Sequence, residues 1–143
     1  MSDFRTLSDA VLASPQIALE DVATAGASGV TLIVNNRPDG EDPSSPQSDA
    51  IAAAAQEAGI AYVAIPIGHS GFSEAQIDQM IAALDAAEGK VLAYCRSGTR
   101  STLLWSLAQA KSGVAPDDIS AAAQSAGYDV SPIRPMLDML AAR

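Results

Sequence analysis

Apolar positions along this chain fall into two periods. Val30-Thr31-Leu32-Ile33-Val34, Ile60 to Ile67 and Val91-Leu92-Ala93-Tyr94 are short, nearly continuous apolar runs rich in β-branched residues. Such runs are what strands buried on both faces require. Weaker apolar stretches around Leu7, Val11-Leu12 and Ile17, broken by Ser-Asp and Ser-Pro, predict two short strands between Phe4 and Ile17. Between these runs the spacing lengthens to that of a helix. Leu19, Val22 and Ala23 lie in a helix read over Ala18 to Ala25, closed by Gly26 to Gly29. Ser48 to Ala58 is Ala-rich and stops at Gly59. Ser73 is a good N-cap for a helix over Glu74 to Ala87, with Ile77, Met80, Ile81 and Leu84 facing the core. Ser101 to Ala110 carries Leu103, Leu104 and Leu107 on one side, and Lys111-Ser112-Gly113 ends it. Pro116 opens a helix through Ala126, and Ser131-Pro132 opens a last one with Ile133, Met136, Leu137 and Leu140 inward.

Strands alternating with helices predict an α/β fold: a mostly parallel central sheet with helices on both faces. At 143 residues the expectation is one domain over 1–143, large enough for a core. No internal repeat or low-complexity linker interrupts it.

Charge and composition narrow the function. Seventeen acidic residues against eight Lys and Arg give a net charge of −9. That excess argues against nucleic acid or anionic membrane as partner, since both need a basic surface. No apolar run is long enough for a bilayer, and the N-terminus has no signal-peptide core. A single cysteine excludes an internal disulfide, so the expected setting is the cytoplasm. One His and one Cys without clustered carboxylates make a poor ligand set, so no metal and no cofactor is implied. Oligomeric state leaves no mark in the sequence.

The chemistry concentrates in Cys95-Arg96-Ser97-Gly98-Thr99-Arg100-Ser101. A strand ends, a polar turn follows, and a helix starts. That arrangement aims several backbone N–H groups at one point, with the helix dipole behind them. It would hold an anion, and it would also stabilise the anionic form of Cys95. A lone cysteine at a strand end is usually a small core residue. Here the two arginines and the flexible polar turn make poor core material, and they favour a nucleophile. Cys95, Arg100 and Ser101 are the catalytic candidates; Arg96, Ser97, Gly98 and Thr99 are the substrate-binding ones. Arg37, on the loop after Val34, and His69, on the loop after Ile67, are accessory candidates, because ligands of open α/β sheets bind at strand C-termini. Histidine ordinarily titrates near neutrality, which makes His69 a candidate acid or base. Asp39, Glu41 and Asp42 read as solvated loop charges.

Three segments carry a resemblance: Gly29-Val30…Asn35-Asn36-Arg37-Pro38-Asp39-Gly40, Ala58-Gly59…Ile65-Pro66-Ile67 and Leu92 to Ser101. Together they resemble the phosphatase-like domain of the beta-lactamase-hydrolase-like (Blh) family, within the cysteine-dependent phosphatase fold. Members of that family are sometimes fused to a metallo-β-lactamase-type dioxygenase domain. The resemblance implies Cys95 as nucleophile, Arg100 as the anion-clamping arginine, Gly98 as the turn glycine and Ser101 as the hydroxyl that follows. The chain also departs from the tyrosine and dual-specificity pattern. It has four residues between Cys95 and Arg100 instead of five, Tyr94 in place of a histidine, and no aspartate on the Gly68 to Phe72 loop. Cys-Arg-Ser-Gly-x-Arg-Ser is also similar to the active loop of rhodanese-like sulfurtransferases. Three functions follow for a small anionic substrate. The leading one is a phosphatase-like hydrolase of phosphate monoesters working through a thiophosphoryl Cys95. The second is a sulfurtransferase working through a Cys95 persulfide, and the third is a non-catalytic module that binds an anion or a phosphoprotein.

Overall fold

The computed structural model describes residues 2–68 and 70–142. Five strands form one sheet: β1 (Arg5–Thr6), β2 (Val11–Ser14), β3 (Val30–Asn35), β4 (Ala61–Ala64) and β5 (Lys90–Tyr94). Their spatial order is β1-β2-β5-β3-β4. Only β1 runs antiparallel; the other pairings are parallel. The helices are α1 (Leu19–Ala27), α2 (Ser48–Glu57), α3 (Glu74–Ala86), α4 (Thr99–Lys111), α5 (Pro116–Ser125) and α6 (Arg134–Ala141), the last preceded by a 3-10 turn at Ser131–Ile133. The α/β architecture expected from the alternating pattern is what the chain adopts.

Alternation along β5 splits the core. Leu92 and Tyr94 pack with Ile33, Val22, Ile51 and Ala55 on the side covered by α1 and α2. Val91 and Ala93 pack with Leu104, Leu107, Met80 and Leu137 on the side covered by α3, α4 and α6. Burial of each such aliphatic side chain contributes about 1.5–3 kcal/mol.

Two expectations need correction. The Ile60 to Ile67 run is not one buried strand. Only Ala61–Ala64 pairs, and β4 lies at the sheet edge with exposed or half-buried residues. Its buried isoleucines, Ile60, Ile65 and Ile67, flank the paired part. Ile65 and Ile67 still donate their N–H groups to Asn35 and Asn36 carbonyls, both at 2.9 Å, so the segment stays pinned to β3. The second correction concerns α4. It starts at Thr99, two residues ahead of the expected Ser101, and is buried nearly all round rather than on one leucine stripe. Ser101, Thr102 and Ser106 are buried with the leucines. Thr102 and Ser106 hydroxyls donate to the carbonyls four residues back, both at 2.8 Å, which lets polar residues enter the core without orphaned groups.

Gly98 sets the start of α4. It is the N-cap at φ +91, a left-handed conformation. A Cβ there would collide with Tyr128 Oη and lie 3.2 Å from the Ser14 carbonyl carbon. Gly113 has φ +102 but open space around it. Gly98→Ala is therefore expected to cost about 2–3 kcal/mol from backbone strain plus overpacking. Gly113→Ala should cost about 1 kcal/mol from strain alone. Urea unfolding followed by Trp105 fluorescence checks both.

Candidate active site

Four strand ends lie in one row. Ser14 pairs with Tyr94, Tyr94 with Asn35, and Asn35 with Ala64. The loops leaving those ends therefore converge at one edge of the sheet. Cys95 follows Tyr94 there, buried, with its N–H on Ser14 O at 3.3 Å. Gly98 N–H donates to Cys95 Sγ at 3.1 Å, closing the turn over the sulfur. Ser97 Oγ caps the same turn, accepting from Thr99 N–H at 3.3 Å, and Tyr128 Oη holds Ser97 O at 3.1 Å. Arg5 lies over the Tyr128 ring at 5.2 Å, a cation–π contact that helps hold the phenol. Burial pushes the Tyr128 phenol up, so it stays a hydroxyl donor.

Arg100 occupies the first turn of α4. Its Nη1 donates to Glu41 Oε2 at 2.7 Å and to Ile67 O at 2.8 Å, and its Nη2 donates to Glu41 Oε1 at 2.8 Å. A guanidinium carries five N–H donors in a fixed fork. Three contacts leave the Nε–H and one Nη2–H available, which together form a second edge suited to an oxyanion. Glu41 beside it and the sulfur of Cys95 raise the Arg100 pKa further, so the group is a permanent cation.

Glu41 also accepts from Arg37 Nε at 3.0 Å. Arg37 in turn donates to Gln16 Oε1 at 2.9 Å and is held by Asn35, whose Oδ1 accepts the Arg37 N–H at 2.9 Å. Glu41 thus joins two arginines that would otherwise repel, and their hydrogen bonds hold its carboxyl at about 2. Asp42, held by the Ser44 and Ser45 hydroxyls, also lies at about 2. An open cleft of about 530 Å³ lies above, lined by Arg37, Glu41, Asp42, Gly68, Arg96 and Arg100.

Ser101 is fully buried, and its hydroxyl donates to Asn36 Oδ1 at 2.7 Å. Asn36 is fully buried too, and its Nδ2 donates to Ile65 O at 2.9 Å. Thus the fold gathers Cys95, Arg96, Ser97, Gly98, Thr99, Arg100, Ser101 and Arg37 at one edge. His69 lies outside the described residues. Sequence reasoning missed two residues. Glu41, a solvated loop charge by its local sequence, is the acceptor shared by Arg37 and Arg100. Asn36, on which the sequence alone places no role, is the buried partner of Ser101. An Asn-Asn pair directly after a buried strand was the available signal for the second.

Among the described residues no three His, Cys, Asp or Glu side chains cluster. No described helix is long and apolar enough to cross a membrane.

The sheet order and the cysteine loop between β5 and α4 define a cysteine-dependent phosphatase fold, and solved structures agree. The structure of Tk-PTP in its active form superposes with a TM-score of 0.77 over 99% of this chain and 97% of that one; at 17% identity it speaks for the fold alone. Closer in sequence is a candidate phosphatase from Neisseria meningitidis, 31% identical, with a TM-score of 0.84 over 96% of this chain and 98% of that one. Residues 3–112 match the family described as beta-lactamase hydrolase-like protein, phosphatase-like domain, and the chain belongs to that family. A beta-lactamase hydrolase-like protein of Xylella fastidiosa is 39% identical over 103 residues, 71% of this chain. The chain spans about a quarter of the length of the curated relatives it matches.

Two measurements probe this geometry. Glu41 has a folded value of about 2 against an ordinary 4.5, so its contribution to stability is complete above pH 4.5 and is lost as pH falls toward 2. The difference in urea midpoint between wild type and Glu41→Gln should accordingly shrink between pH 6 and pH 2.5. Asn36→Leu strands the Ser101 hydroxyl and the Ile65 carbonyl in the core, and should cost about 1–3 kcal/mol by the same denaturation.

Proposed function

We propose that this chain is a cysteine-dependent hydrolase of phosphate monoesters. The observation that carries the reading is the clamp around one sulfur: Gly98 N–H on Cys95 Sγ and Arg100 locked with one donor edge still open. An ester phosphate seated there would place two oxygens on that open edge. Turn amides would take others, and the charge that builds in the transition state would find donors already in place. Cys95 Sγ attacks phosphorus, and the P–O bond to the leaving group breaks with its electron pair. Water then attacks phosphorus, and the S–P bond breaks to return the thiolate. Ser101 assists that second departure by turning its hydroxyl from Asn36 to the sulfur. His69 is the only titratable residue in segment 65–73, which makes it the candidate proton donor to the leaving oxygen.

One observation favours a second reading. The cleft carboxylates, Glu41 and Asp42, are both held at about 2 and are ionised at neutral pH. Neither can protonate an alkoxide. Sulfane-sulfur transfer to Cys95 needs no such proton, and the four-residue spacing before Arg100 suits a smaller group.

Hydrolysis of 4-nitrophenyl phosphate, set beside transfer from thiosulfate to an acceptor thiol, separates the two. On the phosphatase reading the ester is turned over. Cys95→Ser abolishes the rate, and Arg100→Lys, which loses the two-donor fork, lowers kcat/KM about 10²–10³-fold. A sulfur added to Cys95 in the intact mass, with no ester turnover, would move the assignment to sulfur transfer.

A further inference from the structure

Arg96 stands out by its charge balance. Acidic residues outnumber basic ones 17 to 8 in this chain. Arg5, Arg37, Arg100, Lys111 and Arg134 each sit within ion-pair distance of a carboxylate. Among the described arginines and lysines, only Arg96 and Lys90 do not. Lys90 opens β5 at the end of the sheet away from the cysteine loop. Arg96 instead is the residue next to Cys95, is exposed, and lines the same cleft as Arg100.

Its backbone is not free to drift. The Arg96 carbonyl accepts from Gln16 N–H at 3.2 Å, and Gln16 is also the residue that holds Arg37. The unpaired guanidinium therefore has a fixed root at the mouth of the site. In a body of strong negative charge, a cation held there without a partner leaves a local positive rim. The cleft, at about 530 Å³, is also in the range of pockets that take a whole small molecule rather than one phosphate group.

We propose that Arg96 recognises a second anionic group on the substrate, a phosphate or carboxylate carried by the leaving group. This rests on the phosphatase reading above and narrows it to small, doubly anionic phosphate monoesters. Arg100 and the turn amides take the ester phosphate that reacts. Arg96 takes the group that does not react, and so sets specificity without touching the bond that breaks. Glu41 and Asp42 line the same cleft and disfavour a second anion beside them. Arginine suits the task because its planar fork pairs with either oxyanion through two parallel donors.

Two arms test this, and they fail separately. In the kinetic arm, Arg96→Ala is compared with wild type on phenyl phosphate and on 4-carboxyphenyl phosphate. Taking the variant-to-wild-type ratio for each ester cancels the difference in leaving group. The expected result is a loss of kcat/KM at least tenfold larger on the carboxylated ester, partly recovered in Arg96→Lys. Lys90→Ala, which removes the same charge at the far end of β5, should show no such difference between esters. Equal losses on both esters overturn the role given to Arg96 and leave the phosphatase reading standing.

In the binding arm, calorimetry on the Cys95→Ser protein compares inorganic phosphate with pyrophosphate. The preference for pyrophosphate should fall about tenfold when Arg96→Ala is added and should persist when Lys90→Ala is added. An unchanged preference overturns the proposal. If no ester is turned over but the preference depends on Arg96, the hydrolase reading falls and the second anion subsite stands.

Discussion

Everything at this site follows from where the strands stop. Ser14, Tyr94, Asn35 and Ala64 are register partners across four strands. Parallel strands that end level send their loops off one edge together, and each loop here contributes a different part. The loop after β2 brings Gln16, which braces Arg37 and the Arg96 carbonyl. The loop after β5 brings Cys95 and its turn. The loop after β3 brings Asn36, Arg37 and Glu41, and the segment after β4 brings the Ile67 carbonyl to Arg100. A one-residue slip of β3 against β5 would send each side chain to the opposite layer of the core and carry Asn36 away from Ser101. Register is well specified because both faces of β3 and β5 are buried.

On that frame the electrostatic problem is to bring Arg37 and Arg100 together. Two guanidinium groups at one cleft repel unless an anion stands between them. Glu41 is that anion, and both partners are only partly exposed, so water screens the pairing less than at an open surface. The same carboxylate does something more useful than neutralise. By taking one Nη1 and one Nη2 donor it leaves the Nε–H and the second Nη2–H of Arg100 as a paired edge. The arginine is ordered before any substrate arrives, so less rotamer freedom is lost on binding. A positive site is thereby kept rigid in a chain that is strongly acidic elsewhere.

How much of this could be read from residues alone depends on the range of each contact. The alternation of strands and helices was legible because it rests on local apolar periodicity, and so was the turn from Cys95 to Ser101, because its parts are contiguous. Glu41 was not, since its partner Arg100 lies 59 residues further on and nothing in Gly40-Glu41-Asp42 distinguishes it from a solvated acid. Asn36 escaped for the same reason, its partner being 65 residues away. The β4 segment misled because an apolar run says that residues are buried but not which of them pair. Ile65 and Ile67 are buried beyond the end of the ladder. In α4 the pattern under-read burial, because hydroxyls that bond back to their own helix behave as core residues.

The spacing of four residues between Cys95 and Arg100 is one departure from the larger phosphatase group, and Gly98 shapes the loop that spans it. Gly98 adopts a left-handed conformation and serves directly as N-cap, so α4 begins at Thr99 and Arg100 sits in the first turn. The Gly98 amide reaches Cys95 Sγ at 3.1 Å, and the sulfur is among the groups that raise the Arg100 pKa. With Arg100 rooted this close to the helix cap, its guanidinium is fixed from beyond the loop as well. Ile67 O and Glu41 supply those contacts. The shortened loop and the acidic residue on a distant segment are thus two halves of one arrangement.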